Sequence, residues 1–224
     1  MGGRYEDRES AAVTGIVLSS MPIGEYDRRI SLLTLERGKL SAFARGARKP
    51  GSSFMAGTRP FTFGEFVLSE GRSSYSVRQI RVTNYFEEVT ADIGYVCLGS
   101  YFLELAEYYT RENADEAAVL KLLYQALRAL SNNSLDNRLV RMVYVLKIMM
   151  INGDIEQRLF SGLSAAAEYT VDFILNTDPG KLFVFALSEE VLNELIAVVR
   201  RNKEMFIDRQ LRSEAVLDEM SEIC

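Results

Sequence analysis

The chain of 224 residues carries no histidine, two cysteines and a net charge of −5. Without imidazole there is no Ser-His-Asp or Cys-His nucleophile system, and Cys97 and Cys224, far apart in sequence, supply neither a zinc site nor a disulfide framework. No G-x-x-x-x-G-K-[ST] run can cradle a nucleotide phosphate, and no apolar run reaches the roughly 18 residues of a membrane-spanning helix. These exclusions predict a cytoplasmic, membrane-free protein with no catalytic centre, no metal and no cofactor.

The opening MGGRYEDRES is polar and acidic, unlike the apolar core of a secretory signal, and predicts a flexible arm over residues 1–12. Short apolar runs punctuated by Gly and Pro then predict strands over 13–18, 30–35, 40–44, 61–68 and 75–82. Glu36-Arg37-Gly38-Lys39 turns the second strand into the third, and Glu70-Gly71-Arg72-Ser73 turns the fourth into the fifth. In the fifth, the alternation Tyr75, Val77 slips parity to Ile80, Val82, which predicts a β-bulge at Arg78-Gln79. Five strands in so few residues favour closure into a small barrel over 13–84, of OB-fold or SH3-like topology.

Beyond residue 86 the period becomes helical. Leu98, Tyr101, Phe102, Leu105, Tyr108 and Tyr109 form one stripe, residues 119–130 a second and 135–149 a third. Asp115 and Ser134 stand as N-caps for the second and third. A fourth helix is predicted from about Ser164 to Leu175, and Ser188-Glu189-Glu190 opens a fifth. The aromatic and methionine stripes are core. The fold class is thus α+β, an all-β barrel followed by an all-α domain over 85–224.

Charge follows the same division. Residues 1–86 hold 13 Lys/Arg against 8 Asp/Glu, a net of +5, whereas 87–224 hold 13 against 23, a net of −10. Within 28–59 lie Arg28, Arg29, Arg37, Lys39, Arg45, Arg48, Lys49 and Arg59 against the single acid Glu36. The stretch 45–54 reads as a strand end running into a mobile loop, whose glycines let backbone approach a phosphate chain while guanidiniums give forked hydrogen bonds. Phe54, Tyr75, Tyr85 and Phe86 are candidate stacking platforms for unpaired bases, with barrel core as their other role. By itself the segment specifies a polyanion.

The runs Thr14-Gly-Ile-Val-Leu-Ser-Ser, Gly24-Glu-Tyr-Asp-Arg-Arg-Ile-Ser-Leu-Leu-Thr, Arg37-Gly-Lys-Leu-Ser-Ala-Phe-Ala-Arg-Gly-Ala-Arg-Lys and Pro60-Phe-Thr resemble the N-terminal domain of the bacterial RecO family. Lys181-Leu-Phe-Val-Phe-Ala-Leu-Ser-Glu-Glu-Val-Leu-Asn-Glu-Leu is similar to that family's closing helix, and Arg209-Gln-Leu-Arg-Ser-Glu to its tail. The resemblance covers about residues 13–215. It implies an OB-fold followed by a helical domain and binding of single- and double-stranded DNA. It further implies annealing of complementary strands and contact with the C-terminal tail of single-stranded-DNA-binding protein. Together with RecR, such a protein helps load RecA, a role that places it at the nucleoid. The family's basic positions fall on Arg28, Arg37, Lys39, Arg45, Arg48 and Lys49, and charge adds Arg29 and Arg59.

One departure stands out. Many RecO proteins insert a four-cysteine zinc lobe after the third helix, whereas the link from Asn152 to Gly162 here is short and has no cysteine. Three other readings remain open from the residues: an RNA-binding OB-fold protein, a carboxylate- and magnesium-dependent nuclease, and a non-catalytic adaptor for acidic protein tails. Arg128, Arg138, Arg141, Lys147, Arg200 and Arg201 are candidates for receiving such a tail.

Overall fold

The computed structural model describes residues 10–71, 74–132 and 134–223, with side chains to residue 217. Most of the expected N-terminal arm, half of the 70–73 turn, and Cys224 therefore lie outside the described residues. The chain forms two compact units. One runs to Glu87 and takes in Thr110–Leu120; the other comprises Glu88–Tyr109 and the chain from Lys121 onward.

In the first unit, β1 (Ser10–Ile23), β2 (Asp27–Thr34), β3 (Gly38–Ala44), β4 (Phe63–Glu70) and β5 (Tyr75–Asn84) close into a barrel in the order β1-β2-β3-β5-β4. β3 and β5 pair in parallel and the other neighbours antiparallel, which makes this an OB-fold barrel. β1 is the closing strand, pairing with β4 through Ser10–Ile16 and with β2 from Gly15 onward. Where it changes partners, Gly15 faces Gly64. A Cβ on Gly15 would lie 2.2 Å from the Leu33 carbonyl oxygen, and one on Gly64 2.3 Å from that of Arg81. Only hydrogen fits at either crossing.

The barrel interior is filled by alternate residues of successive strands: Val13 and Val17, Ile30 and Leu32, Leu40, Ala42 and Ala44, Phe66 and Leu68, Tyr75 and Val77. The parity slip in β5 is a bulge. Val67 faces Gln79 but Leu68 faces Val77, leaving Arg78 as the extra residue. β1 extends past both expected ends. Ser10, Ala11 and Ala12 pair with Ser69, Leu68 and Val67, and Met21 to Ile23 pair with Arg29 to Asp27. Those outer segments are held by backbone hydrogen bonds with little side-chain burial, so they carry no hydrophobic alternation.

The helices are α2 (Glu87–Ala91), α3 (Ile93–Tyr109), α4 (Ala117–Leu130), α5 (Asn137–Ile151), α6 (Ala165–Asn176), α7 (Glu189–Phe206) and α8 (Arg212–Ile223); a one-turn α1 (Phe54–Gly57) lies between β3 and β4. Ser164 and Ser188 cap α6 and α7, accepting from Ala167 and Val191 N–H. The α5 cap is Asp136 rather than Ser134, because the Asp136 carboxylate accepts from Arg138 N–H while the Ser134 hydroxyl donates to Asn132. Phe102 and Tyr144 stack at 4.3 Å in the core of the second unit, and the Tyr144 hydroxyl donates to the Phe102 carbonyl. The buried Lys147 ammonium satisfies the Ile174 and Leu175 carbonyls at the end of α6, at 3.0 and 2.7 Å. Burial lowers its pKa, opposed by Asp178.

The last helix is attached by charge. The Glu104 carboxylate on α3 accepts from the backbone N–H groups of Arg212 and Ser213, at 3.1 and 2.8 Å, and from the Ser213 hydroxyl. Glu214 of α8 pairs with Arg141 and Lys203, two cations that also stand over the Tyr101 ring.

Two expected outcomes follow from these contacts. Gly15→Ala should cost about 2 kcal/mol or more in urea unfolding, because the methyl meets backbone rather than a side chain that can swing away; an unchanged midpoint would mean that β1 can shift off β2. The second concerns pH. Burial alone would raise the Glu104 carboxyl, but its hydrogen bonds from Ser213 and Arg212, with Arg209 nearby, hold it below the ordinary glutamate range. A depressed carboxylate stabilises the fold above its unfolded pKa and loses that contribution as pH falls through its folded one. Glu104→Gln should therefore melt lower than wild type at pH 7, with the gap closing below about pH 4. A gap that persists there would assign the loss to packing.

Candidate nucleic-acid interface

The segment after β3 is a loop pinned by hydrogen bonds. Gly46 N–H donates to the Asp27 carboxylate at 2.7 Å, and Arg48 N–H donates to the Tyr26 carbonyl at 2.8 Å. The Arg48 guanidinium reaches the Gly24 carbonyl at 3.3 Å. Successive turns close inside the loop, with Lys49 N–H on the Gly46 carbonyl and Ser52 N–H on that of Lys49. Ala47 is fully buried in the barrel core, which anchors the loop from below. The loop and the β1–β2 turn are thus one assembly.

Arg28 is the joint beneath it. Its guanidinium is half-buried and donates to the Met55 carbonyl at 3.2 Å and the Thr58 hydroxyl at 3.0 Å, fastening α1 to β2. Burial lowers its pKa, and the nearby charges of Arg59 and Arg48 lower it further. That electrostatic coupling brings Arg28, Arg48 and Arg59 together from three parts of the sequence. Arg29 is exposed, with its Nε donating to the Ser41 hydroxyl at 2.7 Å. Arg45 and Arg59 are exposed and make no side-chain hydrogen bond or ion pair among the described residues. Arg48 and Lys49 are also exposed.

Arg37 and Lys39 lie elsewhere. They sit at the opposite end of the β2–β3 hairpin, about 20 Å along the strands at 3.4 Å per residue. Arg37 is committed to the Tyr75 hydroxyl at 3.1 Å and to Glu70 at 3.3 Å, both of which raise its pKa. Lys39 is half-buried, its backbone N–H donating to the Arg111 carbonyl. The aromatic candidates divide in the same way. Phe86 and Tyr75, 2% and 9% exposed, belong to the core, and Phe54 packs against the barrel interior. Tyr85 is exposed, and so is Tyr26, at 42%, which sequence reasoning passed over. A lone tyrosine in a turn has no period to expose it; the available signal was its position between Gly24 and Asp27 at a tight turn.

In the second unit the basic candidates for an acidic tail are mostly engaged. Arg138 forms paired hydrogen bonds with Glu189 and also binds Asp136, Lys147 is internal, and Arg200 faces Glu204. Arg128 is exposed beside an open groove of about 450 Å³ lined also by Leu135, Phe183 and Val184. The short link after α5 is stapled by the fully buried Asn202. Its amide donates to the Asp154 carbonyl and its oxygen accepts from Glu156 N–H, both at 2.8 Å. Among the described residues, no three His, Cys, Asp or Glu side chains gather as metal ligands, and no helix is long and apolar enough to cross a membrane.

A closed OB-fold barrel leading into a helical unit defines the class of protein. Residues 10–86 match the family model "Recombination protein O N terminal", and residues 90–153 match "Recombination protein O C terminal". The chain belongs to the RecO family. It is 32% identical over 139 residues to the DNA repair protein RecO of Alkaliphilus metalliredigens, covering 62% of this chain and 56% of that one. It is 30% identical over 138 residues to its counterpart in Clostridium novyi, covering 62% and 54%. The matched part thus spans just over half the length of these two relatives. The RecO of Acetivibrio thermocellus aligns over 221 residues at 26% identity, covering 84% of this chain and 88% of the relative.

Because Arg28 holds α1 through two acceptors, Arg28→Met should lower stability by about 1–3 kcal/mol by leaving them unsatisfied. Arg45→Ala, with no partner to abandon, should stay within about 0.5 kcal/mol of wild type. Equal effects in urea titrations would refute the distinction between a joint and a surface contact.

Proposed function

We propose that this chain is a non-catalytic DNA repair and recombination mediator. It would bind single- and double-stranded DNA through the basic loop of its barrel and anneal complementary strands. With RecR, it would help load RecA onto DNA coated by single-stranded-DNA-binding protein, acting in the cytoplasm at the nucleoid. The observation that carries this reading is the group of exposed cations on a RecO-type barrel: Arg45, Arg48 and Lys49 on one preorganised loop, Arg59 close to Arg28 beneath it, and Arg29 on the outer face of β2. Preorganisation matters because five like charges repel. Holding them on a hydrogen-bonded frame takes that cost during folding, so a phosphate chain meets an interface that is already built. Neutralising two backbones on one surface is also what annealing requires, and it needs no nucleotide. The groove beside Arg128 supports contact with an acidic protein tail.

Binding should be strongly salt-dependent. Each neutralised phosphate contributes about −0.7 to the log-log slope for single strands, so four or five contacts give a slope near about −3. Reversing Arg45, Arg48 and Lys49 together to glutamate should bring it toward about −1. Reversing Arg200 and Arg201 in the acidic unit should leave it intact. Fluorescence anisotropy of a labelled oligonucleotide across a salt series measures this, with circular dichroism as a check on folding. An unchanged slope in the folded triple variant would refute the surface. Tighter binding to RNA than to DNA of the same sequence would favour the RNA-binding alternative.

A further inference from the structure

The turn between β1 and β2 presents an aromatic ring inside the basic loop. Tyr26 is 42% exposed, and the Lys49 ammonium stands 5.5 Å over its ring. Its backbone is fixed on both sides. The Tyr26 carbonyl accepts from Arg48 N–H, and the neighbouring Asp27 carboxylate accepts from Gly46 N–H. A third bond, from the Arg48 guanidinium to the Gly24 carbonyl, closes the same turn. A tyrosine needed only for packing would be buried, as Tyr75 and Tyr101 are. Here three hydrogen bonds instead hold the backbone of a turn that carries an exposed ring, with Lys49 over its face.

We infer that Tyr26 is the stacking platform for an unpaired base, and that it makes this face prefer single strands to duplex. The inference rests on the DNA-binding reading of the loop and adds to it the group that reads bases rather than phosphates. Phosphate contacts are common to single and double strands. Every unpaired base has an open π-face, whereas bases in a duplex are already stacked on one another. Lys49 fits the exchange. Its ammonium is exposed on a flexible four-carbon stem, so it can leave the ring for a phosphate of the incoming strand without breaking a buried contact. Met21 and Ile23, on the strand leading into the same turn, are 64% and 38% exposed. The neighbouring Glu25 side chain raises the pKa of the Tyr26 hydroxyl, and the ring and the hydroxyl can be tested separately.

The test compares an oligothymidylate 20-mer with an abasic 20-mer of the same phosphate spacing, by anisotropy at fixed salt. Tyr26→Ala should weaken binding to oligothymidylate about tenfold, equal to about 1.4 kcal/mol, and change binding to the abasic strand less than about twofold. Tyr26→Phe keeps the ring and should restore the base-dependent part. Tyr26→Leu keeps the apolar bulk and should not. Equal loss on both strands would overturn the inference, since the residue would then act through folding or charge. So would no loss on either strand, or rescue by leucine. The glutamate triple variant separates the two readings. If it loses both strands while Tyr26→Ala changes neither, the surface stands and the platform falls; if it loses neither, both fall.

Discussion

A strand that must serve two neighbours can do so only where nothing projects from its backbone. In this barrel that place is Gly15, facing Gly64, each within about van der Waals contact of a neighbouring main chain. Below that point β1 belongs to β4, and above it to β2. Past that point the far half of β1 pairs with β2 alone, while β2 keeps β3 on its other side down to Arg28, and the β1–β2 turn at Gly24–Asp27 comes just beyond the end of β3. The loop after β3 finds its partners at that end: Tyr26, Asp27 and Gly24 receive the bonds from Gly46 and Arg48. A tighter barrel mouth would leave those donors to water and the loop would have no frame.

The electrostatics of the loop follow from this frame. Arg28 lies at the first residues of β2, half-buried, with Arg48 and Arg59 both close enough to disfavour its charge. Like charges so arranged oppose folding, and two direct acceptors on α1 offset the cost. Arg28 is therefore a structural cation, although it opens the basic segment 28–59. Arg37 is another, neutralised by Glu70 and seated on Tyr75. The distinction between cations that build the surface and cations that face outward is a matter of acceptors within reach, and residue type says nothing about it.

This explains how far the sequence could be read. Strand number, the hairpin turn at Gly38 and the bulge at Arg78 were legible, because side-chain parity records which face of a barrel is buried. Helix caps at Ser164 and Ser188 were legible for the same local reason. α1 was not: four residues show no period, and its anchorage comes from Arg28, some 27 positions away. The length of β1 was hidden because its ends are held by main-chain bonds to which side chains contribute little. α8 read only as a tail, since its attachment depends on Glu104, 109 residues distant from Ser213. The charge count of residues 28–59 marked a basic region, but it could not tell Arg37 from Arg45, because only the folded chain brings Glu70 and Tyr75 to Arg37 and, among the described residues, no side-chain partner to Arg45.

The short link after α5 is closed by Asn202, which reaches from near the C-terminal end of α7 to satisfy a donor and an acceptor of the link. A buried amide with both ends satisfied can order a chain path without a metal, but only if the link is short enough for one side chain to span it. Here the helical unit closes its link with a hydrogen-bonded turn. The barrel's basic loop draws its order from Gly24, Asp27, Gly46 and Ala47, all within the barrel unit. Each unit thus carries the contacts that order its own surface, so a change in how one is stapled need not disturb the charge geometry of the other.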